Sequence, residues 1–358
     1  MEQTGEQDGW NRPEYMGEMK QAGWRCQGLT GRKMEEQIIE LLRQRGDYVS
    51  GQELCGMLGV SRTAVWKHIS ILREEGYEIT SVQNRGYCLM EEPDVTDAFH
   101  IQRYMETKWL GRQICYEKET GSTNTLAKRL GEQDAVDGTV VVAERQTAGK
   151  GRRGHAWVSP EGNCYFSVLL RPQLRTEQAA SVTLVAALAL AQTVTEVAGL
   201  DARIKWPNDV VVNGKKLCGI LTESSIEPEF INYIVVGIGI NVNQTEFSEE
   251  LKDKATSIFL ETGVKQDRAK ALGCFLGKFE ALYETFLEAG DLSGLRETYN
   301  SLLVNCGKEV RIVDREAERR LLAVGIDDSG RLIVEHENGE REAILSGEVS
   351  VRGLYGYV

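Results

Sequence analysis

The stretch Gly149-Lys-Gly-Arg-Arg-Gly154 narrows the folds open to this chain more than any other feature. As text it matches the glycine-rich turn of dinucleotide-binding folds, which must open a helix. Here the following residues carry Ser159-Pro-Glu-Gly162 and lead into an apolar run over 163–170 that reads as a strand. A doubly wound parallel sheet is therefore excluded. Asn213-Gly214, between the apolar runs 209–212 and 217–222, signals a tight hairpin, so the sheet is at least partly antiparallel. Further strands are predicted over 139–144, 203–206 and 233–240, with long helices over 178–198 and 267–289. Together these make a central α+β domain. Beyond about Asn305 the pattern changes to short strands, with turns at Asp328-Ser-Gly330 and Asn338-Gly339, and predicts a small β-barrel.

Upstream lies a different pattern. Residues 1–32 are polar, lack periodicity and read as a disordered extension. Met34, Ile38, Leu41 and Leu42 follow helical spacing. Ser50-Gly-Gln-Glu53 is a capping box for a second helix, and Leu58-Gly-Val60 makes a tight turn. Ser61 caps a third helix that Gly76 stops. Two short strands, 77–82 and 87–90, flank the turn Asn84-Arg85-Gly86. The unit reads as a winged helix-turn-helix, and Glu91-Glu-Pro-Asp94 as its linker. The expected domains are thus 33–92, 97–304 and 305–358.

Composition sets outer limits. A net charge of −12 argues against a uniformly basic nucleic-acid coat, though not against DNA binding by one small face. The eight cysteines stand singly and the four histidines do not cluster, so no protein-ligated metal site is expected. Scattered thiols and no signal peptide fit a cytoplasmic location. The run Ala179–Ala191, interrupted by Ser181 and Thr183, reads as a buried helix and not as a membrane span.

Two motifs carry the chemistry. Lys150, Arg152 and Arg153 crowd three cations into the glycine-rich loop, an arrangement that an anionic ligand would order. Lys205-Trp-Pro-Asn-Asp209 places a lysine where Pro207 ends a strand, and there it can neutralise charge developing on a phosphoryl or acyl oxygen. No nucleophile elbow or Walker loop is present. The available groups favour positioning and electrostatics over covalent catalysis.

These motifs resemble the biotin protein ligase family, in its bifunctional ligase and biotin-operon repressor branch. The resemblance spans residues 34–358. It rests on Gly121-Ser-Thr-Asn124, Gln146 through Gly154 with Trp157, Lys205 through Asp209 with Lys216 through Glu223, and Gly237-Ile-Gly-Ile-Asn241, in the family's order. Gly347-Glu-Val-Ser-Val-Arg352 is similar to the family's C-terminal segment. The resemblance implies a class II synthetase-like mixed sheet and a C-terminal SH3-like barrel. It also implies a two-step reaction. Biotin and MgATP give biotinyl-5′-adenylate, and the biotinyl group then passes to a lysine of a biotin carboxyl-carrier protein.

Carried over by position, Ser122, Thr123, Asn124, Gln146, Lys150, Gly151, Arg152, Lys205 and Gly219 would contact biotin. Gly149, Lys150, Arg152, Arg153, Asn208, Asn241 and Arg352 would contact ATP. Lys205 and Arg152 would act catalytically, with no metal held by the protein itself. Where the family often has arginine, this chain has Lys150, which keeps charge and loses bidentate geometry.

In the helix-turn-helix, Gly51, Ser61, Arg62, Thr63, Lys67, His68, Ser70 and Arg85 are the expected DNA contacts, while Trp66, Ile69 and Leu72 are expected to face the core. One such monomer neutralises few phosphates, so a homodimer promoted by the adenylate is expected on a two-fold operator. Competing readings are a biotin-sensing transcription factor with little ligase activity, and a lipoate ligase.

Overall fold

The computed structural model describes residues 33–227, 230–313, 318–346 and 350–353. The expected disorder of residues 1–32 falls outside them. Helices α1 (Lys33–Arg45), α2 (Gly51–Leu58) and α3 (Arg62–Glu74) precede strands β1 (Glu78–Val82) and β2 (Gly86–Glu91). Next come α4 (Ala98–Gln102), β3 (Ile114–Thr120), α5 (Thr123–Glu132), β4 (Thr139–Gln146), β5 (Cys164–Leu170) and α6 (Ser181–Ala198). They are followed by β6 (Arg203–Lys205), β7 (Asp209–Val212), β8 (Lys215–Ile226), β9 (Ile231–Ile240), α7 (Ile258–Thr262), α8 (Arg268–Ala289) and α9 (Arg296–Leu302). The C-terminal strands are β10 (Lys308–Val313), β11 (Glu318–Ile326), β12 (Leu332–Glu335), β13 (Arg341–Ile344) and β14 (Ser350–Gly353).

The first unit is the winged helix. The hydroxyl of Ser50 accepts from the Glu53 amide and that of Ser61 from the Ala64 amide, so each cap satisfies an orphan donor of its helix. Gly59, at φ 68°, turns the chain between α2 and α3. Ile38, Ile39, Leu42, Leu54, Val65, Ile69 and Leu72 form its own core. Trp66 does not join them. It is 60 % exposed, one residue beyond the buried Val65 in the helical rotation, which corrects the expectation that it faces inward.

The central sheet has seven strands in the order β3-β4-β5-β9-β8-β7-β6. Only β3 and β4 pair in parallel, so the sheet is mixed and largely antiparallel. The Asn213-Gly214 turn, with φ 49° and 76°, joins β7 to β8 as expected. Helices α6 and α8 cover one face. Among the described residues, the segment Thr176–Ala198 alone is long and apolar enough to cross a membrane, and 67 % of that window is buried inside the protein. It is longer than the Ala179–Ala191 run, and it is a core helix.

The five-stranded antiparallel sheet β13-β12-β11-β10-β14 follows. Its Val310, Ile312, Ala323 and Val334 belong to the same hydrophobic core as the central sheet. Six of the described cysteines are free.

Candidate active site

A narrow cleft of about 50 Å³ lies over β8 and β9. The N-terminus of α5, the end of β4 and the glycine-rich loop complete it. Ser122, Thr123, Asn124, Gln146, Lys150, Gly151, Arg152, Asn208 and Gly219, all expected from sequence, line it. So do Trp157 and Lys216, to which the sequence motifs alone assign no role.

Each wall is built by specific contacts. Ser122 is the N-cap residue of α5, yet its hydroxyl does not cap the helix. Gln146 supplies that cap: its Oε1 accepts from the Thr123 amide at 2.8 Å, while its Nε2 donates to Ser159 Oγ at 3.0 Å. Asn124 donates to the Leu221 carbonyl and to Glu223, and its Oδ1 accepts from Ser167 at 2.7 Å. Burial alone would raise the Glu223 carboxyl, but its bonds to Asn124 and Lys128 hold it below the usual glutamate value. Both amides are thus spent on positioning their neighbours. A Cβ at Gly237 would lie 1.8 Å from Asn124 Oδ1, so only glycine admits this approach.

The loop folds back as a hairpin. Trp157 donates its amide to the Gly149 carbonyl, and Gly151 donates to His155. This lays the Trp157 indole across β8 and β9, where a Cβ would meet the ring at 2.7 Å from Gly219 and 2.6 Å from Gly239. The indole Nε1 is buried and has no hydrogen-bond partner among the described residues. Lys216 Nζ stands 5.1 Å from the centre of the same ring and 2.6 Å from Asp209 Oδ1. Arg152 donates to Asn208 Oδ1 at 2.9 Å and to the Ser346 carbonyl at 2.5 Å, tying the loop to the C-terminal sheet. Burial lowers its guanidinium, with Arg153 acting in the same sense and Asp209 opposing.

Four expected ligand contacts do not line the cleft: Lys205, Asn241, Gly149 and Arg153, the last of which stands on the wall of the neighbouring cavity. Lys205 is not among the lining residues; it sits buried on edge strand β6, opposite Asp209 in register. Besides Lys150 of the loop, the lysine that lines the cleft is Lys216. Asn241 spends its amide on the Thr256 carbonyl beneath β9 and lines neither the cleft nor the cavity beside it. Gly149 admits the close approach of the Trp157 carbonyl and does not line the cleft. Arg352 stands on β14, paired with Arg311 in register.

In the winged helix, Ser61, Arg62, Thr63 and Lys67 are exposed along α3. Trp66 lies among them on the same face. Arg62 donates to Gln52 at 3.0 Å. Arg85, at the wing, stacks 4.2 Å from the centre of the Tyr48 ring. Gly51 and Ser70 are half-buried, and Ser70 donates back to the Trp66 carbonyl. His68 is half-buried, with its Nδ1 2.8 Å from Glu35 of α1.

A mixed sheet whose glycines admit an indole, a cation-rich loop and a helix N-terminus capped from a neighbouring strand together define a class: ligases that activate a small carboxylic acid. Residues 116–241 match the Biotin/lipoate A/B protein ligase family, residues 35–88 an HTH domain, and residues 306–352 the Biotin protein ligase C terminal domain. The chain is 38 % identical over 322 residues to the bifunctional ligase/repressor BirA of Bacillus subtilis, covering 89 % of this chain and 98 % of that protein. It is 31 % identical over 317 residues to the BirA of Escherichia coli, covering 88 % and 96 %. The biotin protein ligase of Aquifex aeolicus, solved with biotin and ATP, superposes with a TM-score of 0.59 at 35 % identity, covering 67 % of this chain and 98 % of that one. This chain belongs to the biotin protein ligase family.

Proposed function

We propose that the protein is a biotin–protein ligase that also represses transcription through its winged helix. The observation that carries the ligase reading is the cleft itself. It gathers Ser122, Thr123, Lys150, Arg152 and Lys216 around a buried, unpaired indole donor. Leaving that donor unmet costs about 1–3 kcal/mol, which an acceptor on the bound acid relieves. The hydroxyls of Ser122 and Thr123 supply both donors and acceptors to a ureido ring. Lys216, Lys150 and Arg152 offset the repulsion between the biotin carboxylate and the ATP phosphates.

The carboxylate attacks the α-phosphorus, pyrophosphate leaves, and biotinyl-5′-adenylate forms. The amine of a carrier-protein lysine then attacks the acyl carbon and AMP leaves. Mg²⁺ would arrive chelated to the ATP phosphates, keeping several waters and needing at most one or two protein carboxylates. The acceptor is the biotin carboxyl-carrier protein of acetyl-CoA carboxylase or of another biotin-dependent carboxylase, in the cytoplasm.

The repressor reading rests on the exposed face of α3, which carries Arg62, Thr63 and Lys67. The bound adenylate favours a homodimer that spans two half-sites of the operator of the biotin genes. Incubation with biotin, MgATP and a carrier domain is expected to add one biotinyl mass to one carrier lysine. No mass shift would leave a sensor without ligase activity, and lipoate in place of biotin tests the remaining alternative. Equal operator affinity with and without biotin and ATP would overturn the linkage.

A further inference from the structure

The direction of the Thr123 hydroxyl is set by groups that lie behind the cleft. Ser167 of β5 is fully buried, and its Oγ stands 2.7 Å from Asn124 Oδ1 and 2.8 Å from Thr123 Oγ1. A serine hydroxyl holds one proton, so it donates to one of the two. Asn124 decides which. Its Nδ2 donates to the Leu221 carbonyl at 3.1 Å and to Glu223 Oε2 at 2.9 Å. Both partners are acceptors: a carbonyl, and a carboxylate whose other oxygen takes Lys128 at 3.0 Å. The amide is therefore held in one orientation, Oδ1 faces Ser167, and Ser167 gives its proton to Asn124. What Ser167 offers to Thr123 is a lone pair.

The opposite side of Thr123 agrees. Ser159 donates its hydroxyl to the Trp157 carbonyl at 2.9 Å, and so accepts from Gln146 Nε2 at 3.0 Å. This turns Gln146 Oε1 towards Thr123, whose amide it takes at 2.8 Å and whose hydroxyl it meets at 3.3 Å. Acceptors flank the Thr123 hydroxyl on both sides, so its proton points inward, with the shorter path to Ser167. Thr123 lines the cleft, and into the cleft its oxygen presents lone pairs alone.

We propose that Ser167, acting through Thr123, is a positioning residue that sets the ligase's choice of acid. With Asn124 and Glu223 it fixes Thr123 as an acceptor, and the ring of the bound acid must bring an N–H to it. The inference rests on the ligase reading above. A cyclic urea supplies such an N–H. A dithiolane ring has none and sets a sulfur against the lone pair. A site built to take a hydrogen bond rejects an analogue without the donor far more strongly than an apolar pocket rejects a change of size.

The test titrates the full chain by calorimetry, without ATP, using biotin and its two cyclic carbamates, in which one or the other ring N–H is replaced by oxygen. At least one carbamate is expected to bind the parent chain about 100-fold or more weakly than biotin. In Ser167→Ala the Thr123 hydroxyl can turn its proton outward, and that ratio is expected to fall at least about tenfold. Ser167→Cys, which keeps a weak donor and acceptor in place, is expected to lie between the two. Lost packing alone would weaken biotin and carbamate together, so a ratio unchanged in Ser167→Ala overturns the assignment. Thr123→Val removes the acceptor within nearly the same shape and carries the test if Ser167→Ala does not fold. An unchanged ratio there overturns the assignment as well. If both carbamates bind the parent chain as tightly as biotin while a carrier domain is still biotinylated, this inference falls and the ligase reading stands. If biotin does not bind, both fall.

Discussion

One extra residue in β8 decides which lysine faces the cleft. Pairing of β7 with β8 steps from Val210↔Cys218 to Val211↔Lys216, leaving Leu217 as a bulge. Residues three apart on a regular strand point to opposite faces, but the bulge restores parity and brings Lys216 to the side of Gly219. Lys205 stands two strands out from Gly219, beyond Asp209, which Lys216 already neutralises. The motif around Lys205 was legible as text; the bulge was not, because it depends on a register set by pairing. Lys216→Ala is expected to cut biotin-dependent pyrophosphate exchange by about 100-fold or more, the scale of losing one preorganised electrostatic partner. Lys205→Ala should leave the exchange per folded molecule within about threefold and act on thermal stability instead. The reverse pattern in a side-by-side exchange assay would return the role to Lys205.

At the scale of elements, the strands and helices followed from periodicity because the turn residues agreed with it. Asn213-Gly214 and the Ser61 cap each sit where the chemistry demands. The Gly149–Gly154 loop was legible as a loop with surplus cations, but its hairpin with Trp157 was not. That fold depends on Gly219 and Gly239, far along the chain, making room for the indole. Trp66 shows the converse difficulty. An apolar residue inside an amphipathic helix is expected to face inward, yet Val65, Ile69 and Leu72 already fill the inner face of α3. Its exposed ring beside Arg62 and Lys67 places an apolar contact on the helix proposed above to enter the groove. Trp66→Ala is expected to change unfolding free energy by no more than about 0.5 kcal/mol, as surface truncations do. It should weaken operator binding about tenfold or more while leaving non-specific DNA affinity unchanged. An equal loss on both DNAs, read by fluorescence anisotropy, would assign Trp66 no part in sequence recognition.

Across the whole molecule, the segment that reads as a loose linker is an anchor. Arg268 at the start of α8 donates to Asp94 and, at 2.6 Å, to the buried Glu144 of β4, which also accepts from the Thr96 amide. Gln146 of the cleft lies two residues along the same strand. Tyr77 of the winged helix meets His100 of α4 at 2.9 Å, and His100 meets Asp97 at 2.6 Å. Glu92 takes two bonds from Arg43 of α1, at 2.8 and 2.6 Å, and one from Arg103 at 3.0 Å. Sequence composition marked the linker by Pro93 and its charges, but charges name no partner until both domains are folded.

Burial alone would raise the Glu92 carboxyl, yet its bonds and charge pairing with Arg43, helped by Arg103 and His100, hold it below the usual glutamate value. A carboxyl lowered in the folded state stabilises fully above its unfolded value, near 4.3 on model peptides, and loses that contribution as pH falls through the lowered value. Glu92→Gln is therefore expected to cost about 1–2 kcal/mol at pH 7, and this gap should close as pH falls from about 5 towards 3. Denaturant unfolding of both chains across that range checks it. A gap that persists undiminished at pH 3 would mean that the loss comes from packing of the side chain and not from its charge.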